Sequence, residues 1–180
     1  MALHVVVGPM FSGKSSRCLE LARRHRAIGR RVLMLKPELD TRDQLIATHD
    51  GSMAQCARLD RLASAVELSE YNATSMILID EAQFFEDLVP AVRRFLLDKK
   101  TVHVYGLDGD GKQRPFGTVL DLVPLADSVE KLLGLCQLCG APAPFTVTEE
   151  HIPETQILIG GEDIYTPVCR FHLEDFGAVE

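Results

Sequence analysis

The chain has 180 residues, 46% hydrophobic, 25% charged and 6% aromatic, which excludes a disordered, collagen-like or low-complexity protein. Lys and Arg number 19 against 26 Asp and Glu, a formal charge of −7 that disfavours general binding to a nucleic-acid backbone. No apolar run approaches the roughly 18 residues of a membrane helix, and the opening Met1-Ala-Leu-His carries no basic leader, so the expectation is a cytoplasmic protein without membrane attachment. The five cysteines, two of them isolated at Cys18 and Cys56, do not form the even set of a disulfide framework.

Leu3 to Val7 is a valine-rich run ended by Gly8 and reads as a buried strand. Ser15 to about Ile28 reads as a helix stopped by Gly29. Arg31 to Lys36 is a second strand, ended by Pro37, and residues 38–58 are polar and loop-like. Leu59, Leu62, Ala63 and Val66 have helical spacing. Met76 to Ile79 is a third strand running into Asp80-Glu81. Leu88, Val92, Phe95 and Leu96 share a helix face, with Pro90 in the first turn, and Thr101 to Tyr105 is a fourth strand. This alternation predicts an α/β fold with a mostly parallel sheet. After Leu135 cysteines, prolines and glycines crowd together, which predicts a division into 1–135 and a smaller lobe over 136–180.

Gly8-Pro-Met-Phe-Ser-Gly13-Lys14-Ser15 fits the phosphate-loop pattern GxxxxGK[ST], placed between a strand and a helix as its mechanism requires. Gly8 and Gly13 let the backbone curl so that N–H groups face phosphate oxygens, and the helix N-terminus adds positive potential. Lys14 would reach the β- and γ-phosphates and the Ser15 hydroxyl would ligate Mg²⁺. Asp80 at a strand end would hold that Mg²⁺ or its water, leaving Glu81 as general base on a substrate hydroxyl, or to position water. Cys136-x-x-Cys139 and Cys169-x-x-His172 are two metal-ligand pairs. A lone CxxC could be a redox pair, but the second pair at matching spacing favours a closed, structural Zn²⁺ site. A zinc there would clamp the ends of residues 140–168 together.

The phosphate loop, Asp40-Thr-Arg42, Thr48-His-Asp50 and Ile79-Asp-Glu-Ala-Gln-Phe-Phe85 resemble the type II, cytosolic class of thymidine kinases. So do Gln113-Arg-Pro-Phe-Gly117, Leu122-Val-Pro-Leu125, both ligand pairs, and Ile159-Gly-Gly161 with Tyr165. The resemblance spans nearly the whole chain, in the family's order. It implies a RecA-like domain with a zinc lobe, assembled as a homotetramer, that phosphorylates the 5′-hydroxyl of thymidine with ATP in nucleotide salvage. Carried over, Gly8, Pro9, Met10, Phe11, Ser12, Gly13, Lys14 and Ser15 bind the ATP phosphates. Asp40 and Asp80 shape the Mg²⁺ side, Gln83 joins that cluster, Arg42 sits by the reacting phosphoryl, and Glu81 takes the proton. Met10, Phe84, Phe116, Thr146 and Tyr165 pack around the nucleoside. Gln156, Ile157, Leu158, Ile159 and Gly160 resemble the lasso whose backbone holds base and sugar.

Two positions depart from the family pattern. His172 stands where the family usually has a fourth cysteine, and zinc accepts it equally well. Asp108-Gly-Asp110-Gly111 stands where animal members run Asp-Gly-Thr-Phe, so one aromatic wall of the nucleoside pocket is missing. A phosphate-loop ATPase with a zinc ribbon acting on nucleic acid is the rival class. The acidic charge balance disfavours it.

Overall fold

Among the described residues the strands and α-helices are β1 (Leu3–Val7), α1 (Lys14–Ala27), β2 (Val32–Pro37), β3 (Leu45–Ala47), β4 (Met53–Gln55), β5 (Ala57–Leu59), β6 (Met76–Ile79), α2 (Leu88–Leu97), β7 (Thr101–Gly106), β8 (Ser128–Lys131), β9 (Gly134–Leu135), β10 (Pro142–Ala143), β11 (Phe145–Val147), β12 (Thr166–Val168) and α3 (Arg170–Leu173). The structure is a computed structural model that describes residues 1–39, 45–47, 53–148, 153, 156 and 164–176.

The four apolar runs, joined by β5 and β8, form a six-stranded sheet in the order β5-β2-β6-β7-β1-β8, with every neighbouring pair parallel. Unbroken apolar strands suit a sheet covered on both faces. Val5, Val7, Ile77, Ile79, Val102 and Val104 face Leu88, Val92 and Phe95 of α2. The alternate positions Val6, Met34, Leu78 and Tyr105 meet Cys18, Leu19 and Ala22 of α1. Each large side chain so buried contributes about 1.5–3 kcal/mol of transfer free energy. Because the strands are parallel, the residues following β1, β6 and β7 gather at one edge, where ligands of open α/β sheets bind.

Two local expectations need correcting, and one strand goes unannounced in the sequence. The loop-like stretch 38–58 contains the β3–β4 antiparallel pair and the beginning of β5, which joins the sheet in parallel with β2. These strands are three residues long, too short for a period to register. The spacing of Leu59, Leu62, Ala63 and Val66 is not α-helical: Leu59 ends β5, and Leu62–Glu67 is a 3₁₀ turn. Leu62 and Ala65, three apart, are its buried pair, as three residues per turn requires. The Asp87 carboxylate caps that turn, accepting the N–H groups of Leu62 at 3.0 Å and Ala63 at 2.9 Å. Finally, β8 is an edge strand of four exposed residues, Ser128-Val-Glu-Lys131, so burial leaves no trace of it in the sequence. Asp127 anchors its start, exchanging hydrogen bonds with Leu3 through both its carboxylate and its backbone N–H.

Beyond β8 the packing changes character. Strands β9–β10 and β11–β12 pair antiparallel. Ala143, Val147, Val168 and Leu173 form a small core with Cys136 and Cys169, separate from the two sheet cores. This lobe lies against the phosphate loop, since Gly134 approaches the Met10 and Phe11 carbonyls.

Candidate active site

Gly8 follows β1 directly with φ at 153°, and a Cβ there would lie 2.5 Å from the Leu132 carbonyl oxygen. Only glycine lets the loop pass the chain leaving β8 so closely. Phe11 (φ 60°) and Gly13 (φ 84°) then turn the backbone into α1. Lys14 is buried, and its Nζ donates to the Pro9 carbonyl at 2.6 Å, while the Ser12 hydroxyl donates to the same oxygen at 2.8 Å. Burial pulls the Lys14 pKa below its ordinary value, and the charges of Glu81, Asp80 and Asp108 oppose that pull. A cation in such a place interacts strongly with any phosphate brought to it, because little water screens it.

Asp80 extends the β2–β6 ladder by one residue, its N–H bonding the Leu35 carbonyl at 2.9 Å. Its side chain is 3% exposed and hydrogen-bonded to Ser15. Burial, then the charge of Glu81, pushes its pKa up to about 7, against the Ser15 hydrogen bond and the Lys14 charge. The Ser15 hydroxyl and Asp80 carboxylate are the hard oxygen donors a Mg²⁺ takes, and a divalent charge there would favour the ionised carboxylate. Glu81 has φ at 50°, a left-handed conformation that costs a non-glycine residue about 1–3 kcal/mol. Gln83, 5% exposed, holds that side chain: its Nε2 donates to Glu81 Oε2 at 2.7 Å while its Oε1 accepts the Leu107 N–H at 3.0 Å. The strained turn and the amide together fix the Glu81 carboxylate, whose charge acts on Lys14.

The rings of Phe84 and Phe116 meet edge to face, centroids 5.5 Å apart at 85°. Thr146 is buried, and its Oγ1 accepts the Met10 N–H at 2.8 Å, which pins the phosphate loop to the lobe. That hydroxyl serves the loop backbone, a role its place in the sequence did not suggest. Tyr165 is half-buried; burial first, then the charge of Asp110, raises its pKa. Asp40, Arg42, Ile157, Leu158, Ile159 and Gly160 lie outside the described residues. Two side chains missed in the sequence, Lys131 and Arg114, belong to this region, and Gln156 of the expected lasso makes a contact there that its position did not announce. Lys131 pairs with Asp108 at 2.5 Å, and Arg114 and Gln156 both reach Asp110. Their separations of 23 and 46 residues leave no local signal for the Lys131 and Gln156 contacts.

Cys136, Cys139, Cys169 and His172 converge, their ligand atoms all within 4.8 Å of one another. Cys139 Sγ lies 3.8 Å from Cys169 Sγ, and His172 Nδ1 lies 3.3 Å from Cys169 Sγ and 3.6 Å from Cys136 Sγ. A tetrahedral ion with Zn–S near 2.3 Å separates its sulfurs by about 3.8 Å, so the donor set fits zinc with no position left open. Gly140, at φ 73°, makes the first knuckle's turn, its N–H bonding the Cys136 carbonyl at 2.7 Å. Purified protein should hold about one zinc per chain. Cys139→Ser should lose it and loosen the lobe, weakening nucleoside binding more than ATP binding. Metal analysis of reduced protein tests this, and an absence of zinc in fresh wild type would contradict it.

A family model described as thymidine kinase matches residues 1–173. The chain belongs to the thymidine kinase family. Within that family it is 47% identical over 177 residues to thymidine kinase a of Arabidopsis thaliana, covering 95% of this chain and 74% of that one. To the thymidine kinase of Oryza sativa subsp. japonica it is 44% identical over 183 residues, covering 96% of this chain and 66% of that one. To the cytosolic thymidine kinase of Homo sapiens it is 37% identical over 169 residues, covering 93% and 71%. Membership in the thymidine kinase family makes the chain a phosphotransferase of the kinase type. Among the described residues no helix is long and apolar enough to cross a membrane.

Proposed function

We propose that the protein transfers the γ-phosphoryl group of ATP to the 5′-hydroxyl of thymidine, giving dTMP and ADP in nucleotide salvage. The observation that carries this reading is the Glu81 carboxylate, held by Gln83 on a strained turn, with its charge acting on the buried Lys14 of the phosphate loop. In the reaction the 5′-oxygen bonds to the γ-phosphorus, the bond from that phosphorus to the ADP oxygen breaks, and the hydroxyl proton passes to Glu81. Residues Gly8 to Ser15 seat the phosphates, and Lys14 meets the charge that builds on the transferring group. Mg²⁺, held through Ser15 and Asp80, would neutralise charge between the phosphates. Arg42 and Asp40 act on the same side. Met10, Phe84, Phe116, Thr146 and Tyr165, with the Gln156 to Gly160 backbone, enclose the nucleoside.

The domain division at residue 135, a resident structural Zn²⁺, assembly as a homotetramer and action in the cytoplasm belong to the same proposal. Backbone groups reading a base edge reject a wrong edge strongly, because the mismatch leaves buried groups unpaired. A methyl contact is worth only about 1–3 kcal/mol. A phosphorylation panel should therefore show thymidine and deoxyuridine within about 200-fold of each other and the purine nucleosides far behind. Deoxyadenosine or deoxyguanosine turned over as well as thymidine would overturn the pyrimidine assignment.

A further inference from the structure

Gly109 and Pro115 form an antiparallel bridge, and the Asp110 N–H bonds the Arg114 carbonyl at 2.9 Å, so residues 109–115 close into a small hairpin. The Asp110 side chain fills it. Its Oδ1 accepts the N–H groups of Lys112 at 2.9 Å and Arg114 at 3.0 Å. Its Oδ2 accepts Arg114 Nε at 2.8 Å and Nη2 at 2.7 Å, and Gln156 Nε2 at 2.8 Å. A carboxylate offers about four lone-pair sites, so these five donors leave it nothing for a substrate. Burial raises the Asp110 pKa, but hydrogen bonds from Gln156, Arg114 and the backbone outweigh it and hold the group below its ordinary value.

Gln156 comes from the lobe. It has φ at 60°, and its N–H bonds the Pro153 carbonyl at 2.9 Å. Its amide nitrogen donates to the Pro115 carbonyl at 3.2 Å as well as to Asp110, so one side chain spans both arms of the hairpin. The next residue is Phe116, buried against Phe84. Then comes Gly117, at φ 59°, where a Cβ would fall on the Gln83 carbonyl oxygen. The hairpin is therefore continuous with the aromatic pair and with the residue that holds Glu81.

We infer that Asp110 is a positioning residue: with Arg114 it latches Gln156 of the lobe onto the 109–115 hairpin, and this latch sets the affinity for the nucleoside. The inference rests on the nucleoside-kinase reading. Losing a charge-assisted hydrogen bond of this kind is worth roughly tenfold or more. Initial-rate kinetics with thymidine and ATP test it on Asp110→Ala, Asp110→Asn, Gln156→Ala and the Asp110→Ala/Gln156→Ala double variant, with thermal midpoints measured alongside. Each alanine variant should raise KM for thymidine about tenfold and leave KM for ATP within about twofold. Asp110→Asn, which still accepts two hydrogen bonds, should fall between. The double variant should be no worse than the worse single, because both remove the same bond. If Asp110→Ala fails to fold, Gln156→Ala and Asp110→Asn carry the test. An unmoved thymidine KM in Gln156→Ala, a parallel rise in both KM values, or effects that multiply in the double variant would overturn the latch. A wild type inactive on thymidine would instead sink the functional reading, and this inference with it.

Discussion

Glu81→Gln is expected to lose about 10²-fold or more in turnover while keeping its KM for ATP, the span of a positioned general base. The substitution is isosteric and does not disturb the φ of 50° at that position more than glutamate does. The Gln83 Nε2 can still donate to the new amide oxygen as it does to Glu81 Oε2 at 2.7 Å. What disappears is the ability to accept the 5′-hydroxyl proton. Because the loss is confined to the transition state, turnover and kcat/KM for the nucleoside should drop together. Near-normal turnover would show that proton transfer is not what Glu81 does.

Lys14→Met should impair ATP binding and phosphoryl transfer together, with turnover down by about 10²–10³-fold, the usual effect of deleting one preorganised charge-stabilising donor. Methionine keeps the apolar stem that the buried site packs around. It also leaves the Pro9 carbonyl with the Ser12 hydroxyl alone, where it now accepts Lys14 Nζ at 2.6 Å as well. That loss should cost stability by about 1–3 kcal/mol, so thermal unfolding belongs in the same experiment. An ATP KM and a turnover both within about threefold of wild type would contradict the assignment, since a lysine aimed at the γ-phosphate cannot be neutral to its transfer.

The parts legible in the sequence are those whose chemistry is local. A valine run followed by glycine dictates both β1 and the loop that leaves it, and the two pairs of metal ligands carry their own spacing. The strands buried on both faces announce themselves as unbroken apolar runs. Strand β8 does not, because an edge strand of exposed Ser128, Val129, Glu130 and Lys131 is held by its pairing with β1 rather than by burial. The spacing of Leu59, Leu62, Ala63 and Val66 misled for a related reason: a period of three and one of 3.6 cannot be told apart over a single turn. Around the phosphate loop, the positions of Lys14, Ser15, Asp80 and Glu81 were readable because strand ends and helix starts fix them. The Asp110–Arg114–Gln156 network was not, since the chain brings Gln156 back across 46 residues to complete it. Nor was the bond from the Met10 N–H to the Thr146 hydroxyl, which joins residues 136 apart in the chain.

The most direct measurement of the central claim is the fate of the label when γ-labelled ATP is incubated with thymidine and the purified protein, with Glu81→Gln and Lys14→Met run in parallel. The account predicts labelled thymidine 5′-monophosphate and ADP in equal amounts from the wild type, and a loss of about 10²-fold or more in both variants. ADP released with free labelled phosphate and no labelled nucleotide, or labelled product formed as fast by Glu81→Gln, would contradict it.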